Sequence, residues 1–208
     1  MSPNPAKIVP DTSHQTRASS RFEEMRFKAL ELFVRRGFAQ VGMCELAQHL
    51  GIGAESIYHR FTSKEHLLFD VIEDLYSDLL EAAVLTESVN GNPFLALLSA
   101  HAELLEQRPL YFLLGEQELC YLSSEYQELI QGMRARYEEA LLHRLLDAGA
   151  CASPPILRAT VRAVVSCLNN LPTWAGSETL SPAQRREVID AVINGVLSIA
   201  FQQSAPPD

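Results

Sequence analysis

The chain has 208 residues, 47% of them hydrophobic and 21% charged, with a formal net charge of −9. That balance suits a globular protein with a sizeable core, in one large or two modest domains, and excludes a disordered or fibrous chain. No run of about 18 apolar residues is available to span a bilayer. The first residues, with Pro3, Pro5 and Pro10 among polar neighbours, lack the apolar centre of a signal peptide, so a cytoplasmic protein without membrane contact is expected. Cys44, Cys120, Cys151 and Cys167 lie far apart with no Cys-x-x-Cys pair, which points to reduced, packed thiols; neither a metal nor a cofactor is expected.

The charge is unevenly spread. Residues 1–66 carry 9 Lys or Arg against 7 Asp or Glu, and the remainder 8 against 19. A mildly basic head on an acidic body draws phosphates to one end and keeps the other off a duplex. So small an excess cannot hold a nucleic acid against salt through one module, and two heads acting together are expected.

Residues 1–19, rich in Pro and Ser and without periodicity, read as a disordered arm. Arg17 and, just beyond the arm, Arg21 could touch phosphates or a minor groove. A first helix follows, with Phe22, Met25, Ala29, Leu32 and Phe33 on one face and Gly37 as its stop. Leu46, Ala47 and Leu50 then make an apolar stripe too brief to be stable without a partner. Gly51 stands where a left-handed residue ends this helix, Ile52 fills the corner, and a second short helix starts near Gly53. Its apolar side is Ile57 and Phe61; its other side offers Ala54, Glu55, Ser56, Tyr58, His59 and Arg60. Two helices joined by such a turn are how a helix-turn-helix domain places its second helix in the major groove.

Thr62 to Glu65 opens a long helix to about Val84, in which Leu67, Leu68, Val71, Ile72, Leu75, Tyr76 and Leu79 form a wide apolar face that would bridge head and body. Further helices are expected over Pro93 to Gln107, Pro109 to Glu116, Glu125 to Ala148, Ile156 to Trp174 and Pro182 to Phe201, the last capped by Ser181. No segment alternates with period two, so the fold class is all-α: an arm (1–19), a three-helix head with the helix-turn-helix (20–66), a larger helical body (67–203) and a tail (204–208).

In combination, Gly37-Phe38, Leu46-Ala47, Gly51-Ile52, Ile57-Tyr58-His59-Arg60-Phe61 and Ser63-Lys64-Glu65-His66-Leu67 resemble the TetR family of transcriptional regulators over roughly residues 21–70. The remainder is similar only in being helical and of the right length. Cys44 stands where the family usually has Thr or a similar polar residue, Glu55 places a negative charge on the recognition helix, and Arg26 and Lys28 replace apolar or small residues. These departures bear on the DNA sequence read more than on the domain.

On this reading Ser56, Tyr58 and His59 face DNA beside Ala54 and Glu55, Lys64 bonds a phosphate at the start of the bridging helix, and Cys44 and Arg21 lie near the backbone. Tyr58 and His59 could instead merely cover the turn. Glu55 either accepts from a cytosine amino group or pairs with His59 or Arg60.

The terminal helix is apolar around much of its circumference, so it either crosses the body or meets a second copy. The resemblance implies a homodimer joined through the last two helices, with Val161, Val165, Leu168, Val188, Val192, Gly195, Val196 and Ile199 at the interface, reading a near-palindromic operator in double-stranded DNA. It also implies a cavity for a small hydrophobic effector. Its candidate contacts are the polar and aromatic residues Tyr76, His101, Phe112, Tyr121, Tyr137 and Trp174, with Leu105 and Cys167. The segment Trp174 to Ser181 is similar to that of members sensing fatty-acyl or steroid-derived CoA thioesters.

No Gly-x-Ser-x-Gly, His-Glu-x-x-His, phosphate loop or dinucleotide fingerprint occurs, so no enzyme is expected. The function implied is a ligand-responsive repressor. The rival is an all-helical protein-interaction module without sequence-specific DNA binding.

Overall fold

The computed structural model describes residues 12–87, 91–174 and 181–202, the side chains of residues 12–20, 172–174, 182 and 185 excepted. Most of the expected arm, the tail after residue 202 and the loop 175–180 lie outside the described residues. The chain divides between Arg60 and Phe61 into two compact units.

The first unit holds α1 (Thr12–Arg36), a 3₁₀ turn at Phe38–Gln40, α2 (Met43–His49) and α3 (Ala54–Tyr58). Helix α1 starts inside the stretch expected to be an arm. Prolines 3, 5 and 10 all precede it, and from Thr12 onward nothing breaks the helical ladder before Gly37. Its inward face, Met25, Ala29, Leu30, Leu32 and Phe33, is buried, and Phe33 meets Phe38 edge-on at 5.1 Å between ring centroids. Gly37, at φ 84°, lets the chain reverse.

Helix α2 buries Leu46 and Ala47 and ends in a Schellman arrangement. The Ile52 N–H donates to the Ala47 carbonyl at 3.0 Å and the Gly51 N–H to that of Gln48 at 3.1 Å, with Gly51 at φ 67°. Nothing lies within 4 Å of a Cβ built on Gly51, so Gly51→Ala tests the backbone alone. It is expected to cost about 1–2 kcal/mol, read as a lower urea midpoint.

The second unit contains α4 (Lys64–Leu85), α5 (Pro93–Gln107), α6 (Pro109–Gln117), a 3₁₀ turn at Leu119–Tyr121, α7 (Ser124–Asp147), α8 (Pro154–Trp174), α9 (Pro182–Ser198) and a closing 3₁₀ turn at Ile199–Phe201. There is no strand among the described residues, and none of their helices is long and apolar enough to cross a membrane. Prolines and caps fix the helix starts. Ser63 Oγ accepts from the His66 N–H, Asn92 Oδ1 from those of Phe94 and Leu95, and Ser181 with Gln184 forms a capping box ahead of Pro182.

All seven apolar residues expected on the inner face of α4 are buried. Its first turn is also fastened to α7: Glu65 Oε1 accepts from the Ser123 N–H at 2.8 Å, His66 Nδ1 lies 3.2 Å from Tyr126 Oη, and the Tyr126 and Phe69 rings stack at 4.1 Å.

Three of the four thiols depart from the expectation of packed cysteines. Cys44, Cys120 and Cys151 are exposed and Cys167 is half-buried, because the first three sit at a helix start or in turns where the chain runs along the surface.

Candidate nucleic-acid interface and effector site

Helix α3 is five residues long, followed by His59 still in helical conformation. Its docking is decided by Ile57, fully buried, while Phe61 beyond it is 4% exposed. The expected DNA-facing residues Ala54, Glu55, Ser56, Tyr58 and His59 are all exposed, as is Arg60, and Tyr58 reaches 58%. A large aromatic ring held out in water on a short helix whose other side is fixed is poised to meet another surface. Cys44, in the first turn of α2, and Arg21, on α1, are exposed as well. Lys28 is paired with Glu24 at 2.7 Å and Arg36 lies 3.9 Å from Glu45, so part of this unit's positive charge is already engaged. In the second unit Lys64 is the first residue of α4 and is half-buried.

The eight residues expected at an effector do not form one set. Tyr76, His101, Phe112 and Tyr137 come together in the interior of the second unit. His101 Nδ1 lies 2.9 Å from Tyr137 Oη, and the His101 ring lies against Phe112 and Tyr137 at 5.3 and 5.6 Å. Asn169 of α8 faces both His101 and Tyr76 and donates through Nδ2 to Glu116 Oε1 of α6 at 2.6 Å. Arg134 completes the group, 3.7 Å from Glu116 and 3.2 Å from Glu138. Five helices, α4 to α8, thus each give a polar side chain to one buried cluster.

Burial holds His101 neutral, its pKa lowered to about 4 against the opposing, hydrogen-bonding influence of Asn169. Burial likewise pushes Tyr76 up to about 12 and Tyr137 higher still, so both phenols stay protonated.

The other four differ in their placement. Tyr121 is 49% exposed: α6 has ended and Tyr121 lies in the 3₁₀ turn that follows. Leu105 is buried one turn beyond His101, and Cys167 is half-buried about 200° around α8 from Asn169. The Trp174 side chain is outside the described residues. An open groove of about 310 Å³ between α4 and α5, with Ala82, Leu85, Ala100 and Leu104 between Asp78, Glu81 and Glu103, includes none of the eight.

Sequence reasoning includes Asn169 among the polar residues that could line a cavity and leaves Glu116 and Arg134 out of the site. Asn169 interrupts the apolar stripe Val161, Val165, Leu168, and Arg134 shares one face of α7 with Tyr137, Leu141 and Arg144; a polar residue on a buried stripe is the available signal.

The expected interface residues also divide. Val161, Val165 and Leu168, expected at the interface, are 3%, 0% and 0% exposed and lie in the core of this chain. Val188, Val192 and Ile199 are 40%, 37% and 47% exposed, with Gly195 exposed and Val196 half-buried on the same helix, whereas Ile193, Leu197 and Ala200 turn inward.

Residues 28–71, from the middle of α1 into α4, match the family described as bacterial regulatory proteins, tetR family. The transcriptional repressor KstR2 of Mycolicibacterium smegmatis is 29% identical over 124 residues, 56% of this chain and 57% of that protein, so the chain spans little more than half the length of this relative. PfmR, a TetR family transcriptional regulator of Thermus thermophilus, superposes with a TM-score of 0.70 at 26% identity, covering 84% of this chain and 97% of PfmR. AibR, solved in complex with isovaleryl coenzyme A and operator DNA, shares the fold at a TM-score of 0.70 and 15% identity, over 84% of this chain and 97% of AibR. Between α1 and α4 the chain thus carries a domain that matches the tetR family of bacterial regulatory proteins.

Proposed function

We propose that this chain is a cytoplasmic, homodimeric repressor that reads a near-palindromic operator and is released by a small hydrophobic effector. The observation that carries the reading is α3: Ile57 is fully buried while Ser56, Tyr58 and His59 remain exposed on the helix that would enter the major groove. The outward apolar residues Val188 and Val192 of α9, with Ile199 of the turn after it, support a second copy as their cover. Two heads would add their phosphate contacts, which one mildly basic head needs. Lys64, the first residue of α4, is assigned a phosphate contact.

The polar cluster of the body supports an effector bound among α4, α5, α7 and α8. A ligand that favours one arrangement of these helices over another shifts the population of DNA-competent dimers by its difference in affinity. The binding of isovaleryl coenzyme A by AibR, which shares this fold, supports an acyl-CoA as one effector class.

The test is titration of the protein onto DNA from its own upstream region at 50 and 200 mM salt, conditions between which several phosphate contacts lose roughly 10³-fold in affinity. Steep salt dependence with preference over random DNA is expected. Equal, weak retention of both DNAs would favour a protein-interaction module.

A further inference from the structure

The cluster around His101 contains two buried atoms that make no hydrogen bond, His101 Nε2 and Asn169 Oδ1, on side chains 0% and 1% exposed. Such atoms are rare in folded proteins and costly, so each calls for an explanation.

Their chemistry follows from their neighbours. Asn169 faces Glu116, a carboxylate that only accepts, so the amide must turn Nδ2 towards it and leave Oδ1 as an acceptor. Oδ1 faces the His101 ring, which favours the tautomer with the proton on Nε2 and leaves Nδ1 to accept from the Tyr137 hydroxyl. The result is two directed pairs, Tyr137 to His101 and Asn169 to Glu116, with one donor of the first and one acceptor of the second left over. Of the charges nearby, Arg134 is paired with Glu116 and Glu138, and Arg144, which faces Tyr137 from two turns along α7, donates through Nη2 to the Ala83 carbonyl and leaves Nη1 without a partner. His101 carries no charge.

We propose that this donor and acceptor together form the recognition point for a neutral, lipophilic alcohol. One hydroxyl accepts from Nε2–H and donates to Oδ1, joining the two pairs, while its hydrocarbon lies among the apolar neighbours, Phe112 foremost. A carboxylate would meet Oδ1 as one acceptor meets another, and Arg134, beside Glu116, is already held by two carboxylates. An ether or a ketone satisfies Nε2 and leaves Oδ1 as it was. The inference rests on the effector-binding reading above and gives that site its ligand class.

The test uses the full-length protein and three probes of one skeleton, 1-decanol, 1-methoxydecane and decanoate, titrated by calorimetry in the absence of DNA. Decanol is expected to bind at least about tenfold more tightly than either of the others, the value of one neutral hydrogen bond. In Asn169→Leu the preference for alcohol over ether is expected to vanish. Equal affinity for alcohol and ether, tighter binding of decanoate, no binding of decanol, or a preference that survives Asn169→Leu would each overturn the proposal. A water bridging the two atoms in its place gives the first of these outcomes. Should the variant not fold, the order of the three probes on the native protein decides alone. Loss of the operator reading would leave that order unaffected, and failure of the probes would leave operator binding unaffected.

Discussion

Tyr58→Ala is expected to lower operator affinity roughly a hundredfold, taking about 1.4 kcal/mol from each of two heads. The ring is 58% exposed, so its truncation removes little buried contact, and the urea midpoint is expected to stay within the scatter of surface substitutions, about 0.5 kcal/mol. Tyr58 neutralises no phosphate, so the dependence of binding on salt should keep its slope while the curve moves down. Filter binding at three salt concentrations reads all of this. An unchanged affinity would remove Tyr58 from the interface, and a fallen midpoint would mean that the ring supports the turn instead of reading DNA.

The second large effect is one of pH. Folded His101 refuses a proton down to about pH 4, whereas in the unfolded chain it takes one near 6.5. Between those values the unfolded state binds more protons, so stability rises with pH. The contribution is complete above about pH 6.5 and is lost as pH falls towards 4, amounting to about 3 kcal/mol across the window. Urea unfolding at pH 7.0, 5.5 and 4.5 measures it, and an NMR titration assigns it: one imidazole is expected to titrate near pH 4. If every histidine titrates near 6.5, the ring is wetter than its burial implies.

Where punctuation is chemical, the sequence is a good guide. Pro93, Pro109 and Pro182 each open a helix, Gly37 and Gly51 each take the positive φ that ends one, and Ser181 caps where expected. The turn from α2 to α3 and the outward side of α3 follow from three- and four-residue spacing alone. Periodicity says that a face is buried and is silent on what buries it. Val161, Val165 and Leu168 therefore look as suited to a second copy as to the core that holds them. The exposure of Tyr121 is hidden from such patterns for a related reason, since a 3₁₀ turn after α6 changes the direction of every side chain beyond it. The cluster of His101, Tyr137 and Asn169 joins residues 36 and 32 positions apart, and no local pattern encodes such a meeting.

The fastening of Glu65, His66 and Phe69 to Ser123 and Tyr126 has a mechanical meaning. Helices α4 and α7 are tied at their opening turns, and Tyr137 projects from the second of them three to four turns further along. A molecule bound beside Tyr137, as proposed above, would act on a helix whose start is joined one residue from Lys64.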